Sequence, residues 1–263
     1  MHEELYVPLP DIRAYLDRIG FEGEPDLTLE TLHELVYRHH ITVPFENFTI
    51  CEEKKVVDIG VVALFNKIVL GRRGGYCFEV NGLFYSLLIA IGFDAYPALA
   101  RISRDLDALR PPLHRVSIVR MGDKRYFCDV GYGGSQPAGA LELVEETQQT
   151  IRGEKFYFYK PDAYNWQLMR YNSQGETVPV VRFPDMPAEQ VDFITPNWYT
   201  STHPDSNFVK NRTANIRRVD GHCSIREGQF RLLGKDVDTV IDIQSKEQEF
   251  ELLKEYFGIV LYQ

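Results

Sequence analysis

Arg73-Gly74-Gly75-Tyr76-Cys77-Phe78-Glu79-Val80-Asn81 sets a cysteine directly after a diglycine turn, at the opening of an apolar helical repeat. Val80, Leu83, Phe84, Leu87, Leu88 and Ile91 fall at helical spacing, and Gly92 closes the run. The spacing predicts a helix over 77–91 with Cys77 in its first turn. There the unpaired backbone N–H groups and the positive end of the helix dipole favour a thiolate. An ordinary cysteine is only about 3% ionised at neutral pH, whereas helix N-termini bring cysteine pKa values to roughly 3.5–7.5. These features suit a nucleophile, and a buried structural cysteine stays open beside it.

Outward from this segment the chain changes character twice. Residues 1–92 read as helical, with further helices over 9–19 (ended by Gly20), 29–39 (Thr28 as N-cap, Pro44 as stop) and 61–69. Residues 93–187 read as antiparallel strands at 95–102, 114–121, 125–130, 155–160, 164–171 and 177–183, separated by turns such as Gly122-Asp123. Residues 188–263 hold a polar helical stretch at 188–194, strands at 229–233 and 239–243, and a last helix from Lys246, with Ser245 and Gln248 as a capping box. No repeat or low-complexity linker separates these stretches, so they are expected to pack together.

Composition narrows the function. The chain has 263 residues, 44% of them hydrophobic, enough to bury about three quarters of its unfolded surface. A net charge of -9 with scattered basic residues lacks the footprint of nucleic-acid binding. The acidic, proline-broken start is unlike a signal peptide, and no apolar run is long enough for a membrane span. Cys51, Cys77, Cys128 and Cys223 form no C-x-x-C pair, so reduced thiols in the cytoplasm are expected, with no structural zinc or other metal site.

A cysteine nucleophile needs a base held by a third group. His33-Glu34 opens a zinc-protease-like pattern that fails at Tyr37. His39 and His40 end a helix, where histidines meet free carbonyls. His114 differs. If Gly122-Asp123 is a two-residue turn, Met121 faces Lys124, and the pairing runs outward until His114 faces Gly131. Asp129 is then the diagonal neighbour of His114 on the same side of the sheet. Cys77, His114 and Asp129 thus make a candidate triad of thiolate, imidazolium and orienting carboxylate. Such a triad serves proteases, transglutaminases and acyltransferases alike.

Over essentially its full length the sequence resembles the arylamine N-acetyltransferase family. The motifs that carry the likeness are Val43-Pro44-Phe45-Glu46-Asn47, Arg73-Gly74-Gly75-x-Cys77-x-Glu79-x-Asn81 and Asp129-Val130-Gly131-Tyr132-Gly133, with His114 fifteen residues before Asp129. The stretch Asn197-Trp198-Tyr199-Thr200-Ser201-Thr202-His203-Pro204-x-Ser206-x-Phe208 adds to it. The resemblance implies an α+β protein with a helical bundle (1–92), a β-barrel-like domain (93–187) and an α/β lid (188–263) around a transglutaminase-like core. It further implies acetyl-CoA as donor, a Cys77 thioester, and an aromatic amine or hydrazine as acceptor. Phe45 and Tyr132 would line the acceptor pocket. Gly131, Gly133 and Gly134, with Phe208, would contact the cofactor. Leu113 and Tyr132 depart from the common pattern, which has Thr and Phe there. A cysteine hydrolase or amide-forming relative with another acyl donor, and a catalytically silent CoA-binding module, are the alternatives. The oligomeric state is left open.

Overall fold

The computed structural model describes residues 2–134 and 136–261. Its first helices begin where side chains can satisfy free N–H groups. Asp11 accepts the Ala14 N–H at 2.9 Å and starts α1 (Ile12–Ile19), so the helix begins after Pro10 rather than at Leu9. Thr28 accepts the Thr31 N–H and starts α2 (Leu29–Thr42). A two-residue strand β1 (Phe45–Glu46) and short α3 (Phe48–Cys51) follow, then α4 (Val61–Leu64), which continues as a π-helical turn over Phe65–Leu70. α5 (Cys77–Ile91) buries Val80, Leu83, Phe84, Leu87 and Leu88 in one core with α1, α2 and α4, and it ends at Gly92. Each such side chain contributes roughly 1.5–3 kcal/mol.

Eight antiparallel strands form a curved, barrel-like sheet: β2 (Asp94–Ile102), β3 (His114–Met121), β4 (Lys124–Cys128), β5 (Leu141–Glu142), β6 (Gln149–Ile151), β7 (Glu154–Tyr159), β8 (Asn165–Tyr171) and β9 (Thr177–Pro184), in the order β5-β4-β3-β2-β9-β8-β7-β6. β2 turns the corner, pairing with β3 up to Ala100 and with β9 at Arg101 and Ile102. Strand alternation splits β3 between two cores. Val116 and Ile118 face the sheet interior with Phe127, Phe158 and Phe183, whereas Val119 faces α5. The β3–β4 hairpin pairs Met121 with Lys124 and ends at Ser117 with Cys128, with Gly122 at φ 59° in the turn. The ladder therefore stops short of His114 and Gly131.

After a 3-10 turn at Gln190–Phe193 come α6 (Ile194–Thr202), α7 (Asn207–Lys210), β10 (Thr213–Arg218), β11 (Gly221–Arg226), β12 (Gln229–Gly234), β13 (Asp238–Asp242) and α8 (Lys246–Phe257). The helix expected over 188–194 thus starts where that stretch ends, because Pro196 fits a first turn whose N–H groups are free in any case. β10 and β11 were not expected. They alternate single apolar residues (Ala214, Ile216, Cys223, Ile225) with polar ones, and their sheet is β1-β10-β11-β12-β13. Its first strand comes from residues 45–46, so the N-terminal and C-terminal stretches share a sheet. Ser245 accepts the Gln248 N–H, while the Gln248 side chain turns back to Gln244 rather than Ser245. Among the described residues no helix is long and apolar enough to cross a membrane.

His39 and His40 do not meet helix-end carbonyls. Both are buried; among the described residues neither ring nitrogen of His39 has a hydrogen-bond partner, and His40 Nδ1 meets Gln136 Nε2 at 2.8 Å. Burial pushes both down, His40 to about 4. An unfolded histidine titrates near 6.5, so the unfolded state gains protons that the native state refuses as pH falls from about 6.5 to 4. Stability is expected to fall across that window, by on the order of 3 kcal/mol for His40 alone. Denaturant unfolding at stepped pH checks this: His40→Gln should flatten the slope, and an unchanged slope would contradict it.

Candidate active site

The start of α5 is held by backbone contacts that leave no room for side chains. A Cβ on Gly74 would stand 1.9 Å from the Pro44 carbonyl oxygen, so only glycine fits. Gly75 donates its N–H to Pro44 O at 3.3 Å, and Glu46 donates its N–H to Gly75 O at 3.1 Å. Two buried carboxylates and two part-buried cations lock this junction. Arg73 pairs with Glu46 at 2.9 Å, and Glu46 also accepts the Phe48 N–H at 2.7 Å. Lys67 pairs with Glu79 at 2.6 Å and reaches Glu46 at 3.6 Å. Burial alone would raise Glu46, but Lys67 and Arg73 outweigh it and hold the carboxyl below its usual range. Burial does raise Glu79, whose second oxygen accepts the Tyr76 N–H at 3.0 Å and caps α5. The Tyr76 hydroxyl donates to the Asn197 side-chain oxygen, tying α6 to the same place.

Cys77 is 3% exposed, with its sulfur 3.6 Å from the Leu113 carbonyl oxygen. His114 and Asp129 are 1% and 2% exposed, and His114 Nε2 lies 2.7 Å from Asp129 Oδ2. The Cys77 side chain is also close enough to the ring to act on it. Burial would push His114 down, but the Asp129 charge and hydrogen bond, joined by Cys77, raise it to about 10. Burial likewise disfavours ionised Asp129, and His114, Asn81 and the Gly131 N–H reverse that and hold it low. The site is thus an imidazolium held against the Asp129 carboxylate, with the Cys77 side chain beside it. The structure brings the three side chains together from a helix, a strand and the loop after β4.

Asn81, given no role by sequence reasoning, is central. Its Nδ2 donates to Asp129 Oδ1 at 2.9 Å and to Arg115 O at 2.6 Å, while its Oδ1 accepts the Val130 N–H at 2.8 Å. Its position four residues after Cys77, on the same helix face, was the available signal.

Phe45, Tyr132, Gly133 and Phe208 line a cleft of about 360 Å³ that also includes Leu113 and three cations, Arg104, Arg110 and Arg226. The Tyr132 ring meets His114 edge-on at 6.1 Å, and the Phe208 ring packs on Phe45 at 5.9 Å. Gly131, expected to contact the cofactor, packs against α5. It is buried, donates its N–H to Asp129 at 2.8 Å, and would drive a Cβ to 2.7 Å from Asn81 and 3.0 Å from the Cys77 Cα. The Gly134 N–H is also taken, by Gln136 at 3.1 Å. Gly133 alone of the three lines the cleft. The Leu113 departure leaves its carbonyl beside Cys77 unchanged, since that contact is made by backbone. Among the described residues no group of three or more His, Cys, Asp or Glu side chains is placed to hold a metal ion.

Comparison with known proteins follows the same lines. The N-acetyltransferase family model matches residues 28–263. An arylamine N-acetyltransferase of Mycolicibacterium smegmatis is 32% identical over 95% of this chain and 92% of its own. The solved structure of the M. tuberculosis arylamine N-acetyltransferase aligns with a TM-score of 0.88 at 32% identity, covering 95% of this chain and 94% of that one. That of the Mycobacterium marinum enzyme in complex with CoA aligns with a TM-score of 0.87 at 30% identity, covering 95% and 93%. With its cysteine, histidine and aspartate side chains converging as they do, the chain belongs to the arylamine N-acetyltransferase family.

Proposed function

We propose that this enzyme moves an acetyl group from acetyl-CoA to an arylamine, arylhydrazine or N-hydroxyarylamine through a thioester on Cys77. The observation that carries the reading is the buried His114, bonded on one side to Asp129 and open on the other to the sulfur at the helix start. Cys77, as thiolate, attacks the acetyl carbonyl. His114, as imidazolium, gives its proton to the departing CoA sulfur, which leaves a neutral ring beside a neutral thioester. The neutral ring then accepts a proton from the attacking amine nitrogen. Collapse of the adduct returns the thiolate, and its charge again favours imidazolium. Asp129 keeps the ring oriented and its positive state stable throughout.

The cleft supports the substrate classes. Phe45, Tyr132 and Phe208 offer flat apolar faces to an aromatic acceptor. Arg104, Arg110 and Arg226 offer positive charge to the CoA phosphates, a task that the engaged N–H groups of Gly131 and Gly134 leave to side chains. The unpaired thiols of all four cysteines fit a reducing compartment, and we place the reaction in the cytoplasm.

Brief exposure to acetyl-CoA followed by intact-mass and peptide analysis is expected to show one acetyl group on Cys77, discharged by an arylamine. Cys77→Ala should remain unlabelled. Labelling elsewhere would sink the reading, and rapid loss of the acetyl group to water without acceptor would favour a hydrolase. A second expectation concerns Asp129→Asn, which should lower kcat by on the order of 10²–10⁴-fold. It should also change the alkaline limb of stability. Because His114 is raised from 6.5 to about 10, its contribution is complete below about 6.5 and is lost as pH rises through about 10. Thermal unfolding at pH 7 and pH 10 should show that loss in the parent protein and much less of it in Asp129→Asn.

A further inference from the structure

Gln136 is buried and does not line the cleft, yet its side chain holds the turn that does. Its Oε1 accepts the Gly134 N–H at 3.1 Å, and its Nε2 lies 2.8 Å from Nδ1 of the buried His40 on α2. A backbone N–H can only donate, so the Gly134 contact fixes which end of the amide is oxygen. Nε2 then donates to His40, whose Nδ1 is the acceptor and whose ring proton sits on Nε2. Main-chain contacts complete the clamp. Asn215 Nδ2 donates to Gly133 O at 2.9 Å, and Arg217, itself paired with Glu154 at 2.6 Å, donates to Gln136 O at 3.1 Å.

The clamped turn abuts two aromatic walls of the cleft. A Cβ on Gly133 would stand 3.0 Å from the Phe45 ring, and a Cβ on Gly134 would stand 3.0 Å from the Tyr132 ring. Phe45 and Tyr132 both line the cleft, and the Tyr132 ring meets His114 edge-on at 6.1 Å. A turn packed this closely cannot shift without moving one ring or the other, because a protein interior has little free volume to absorb the change. The Gln136 amide meets two unlike needs here, a backbone donor and an imidazole acceptor. A carboxylate in its place accepts from Gly134 but offers His40 no hydrogen.

We propose that Gln136 is a positioning residue for the acceptor: by tying Gly134 to His40 it fixes the spacing of Phe45 and Tyr132, and so sets how an aromatic ring is held against the Cys77 thioester. The inference rests on the acetyl-transfer reading and adds to it a residue outside the cleft. Preference for ring-bearing nucleophiles over small ones is then set from behind the turn. His40, buried and unpaired with any carboxylate among the described residues, has the task of anchoring that amide to α2.

Single-turnover discharge of the acetylated protein by two nucleophiles tests this: aniline, whose ring must sit between the walls, and hydrazine, which has no ring. Gln136→Ala is expected to slow discharge by aniline about tenfold, the effect of one buried hydrogen bond lost with its partner left unpaired, and discharge by hydrazine less than about twofold. His40→Leu removes the acceptor and should lower the aniline-to-hydrazine ratio likewise. The double variant should fall no further than Gln136→Ala, because the two groups act as one unit. An unchanged ratio in Gln136→Ala overturns the proposal, as does an equal loss with both nucleophiles, which would put the damage at the triad rather than at the cleft walls. Full additivity in the double variant also overturns it. Should Gln136→Ala fail to fold, Gln136→Glu, which keeps the Gly134 acceptor but not the donor to His40, is read in the same way. Acetyl-CoA labelling of the parent protein separates the two levels: no acetyl on Cys77 removes the thioester and the proposal with it, whereas a labelled Cys77 with an unchanged ratio removes only the role of Gln136.

Discussion

A carboxylate enters a protein interior only if donors meet it there, and the buried Asp129 is held under that constraint. It is met from three directions: His114 from β3, Asn81 from the second turn of α5, and the Gly131 N–H from the loop after β4. Because the donors belong to three elements, satisfying the carboxylate also sets the register of α5 against β3. Cys77 lies one turn before Asn81 on the same helix face, so that register places its sulfur beside the imidazole. Sliding α5 by one turn would take the Asn81 donor from Asp129 and leave the Val130 N–H without its acceptor. The geometry of the sulfur is thus secured by a residue that never touches it.

What the sequence made legible follows the range of the interactions. The helix over 77–91 and the β3–β4 hairpin are decided locally, by an apolar repeat and a two-residue turn, and with the hairpin came the nearness of His114 to Asp129. β10 and β11 depend on distant partners. Ala214 pairs with Glu46 and their apolar residues are few, so no local pattern marks them. A polar residue inside a helix, such as Asn81, says nothing of its task until Asp129 is placed opposite. The glycines after Asp129 show another limit of local spacing. Their spacing suggests an open anion loop, yet Gly131 is small because α5 packs on it and Gly133 lies against the Phe45 ring.

The two-residue strand β1 links these parts. Its Phe45 bridges to Gly75 on one side and pairs with Asn215 on the other, and its ring meets Phe208. A single short segment therefore joins the diglycine turn, the C-terminal sheet and the cleft wall. Glu46, next in line, anchors Arg73 and reaches Lys67. The aromatic lining and the charged junction are consecutive residues of one strand, so the shape of the cleft is coupled to the position of the helix start.

That coupling bears on the thioester of the proposed reaction. A cleft of about 360 Å³ lies near the lower end of the roughly 300–1,000 Å³ usual for ligand sites. If donor and acceptor use this cleft in turn, as the proposed acetyl transfer has it, the acetyl group must stay on the protein while one leaves and the other enters. Cys77, buried beside the Leu113 carbonyl, provides that storage point. Water is the competitor for the stored group. The near-complete burial of Cys77 and His114, with Tyr132 edge-on against the imidazole, limits its access until an acceptor fills the cleft and supplies the attacking nitrogen.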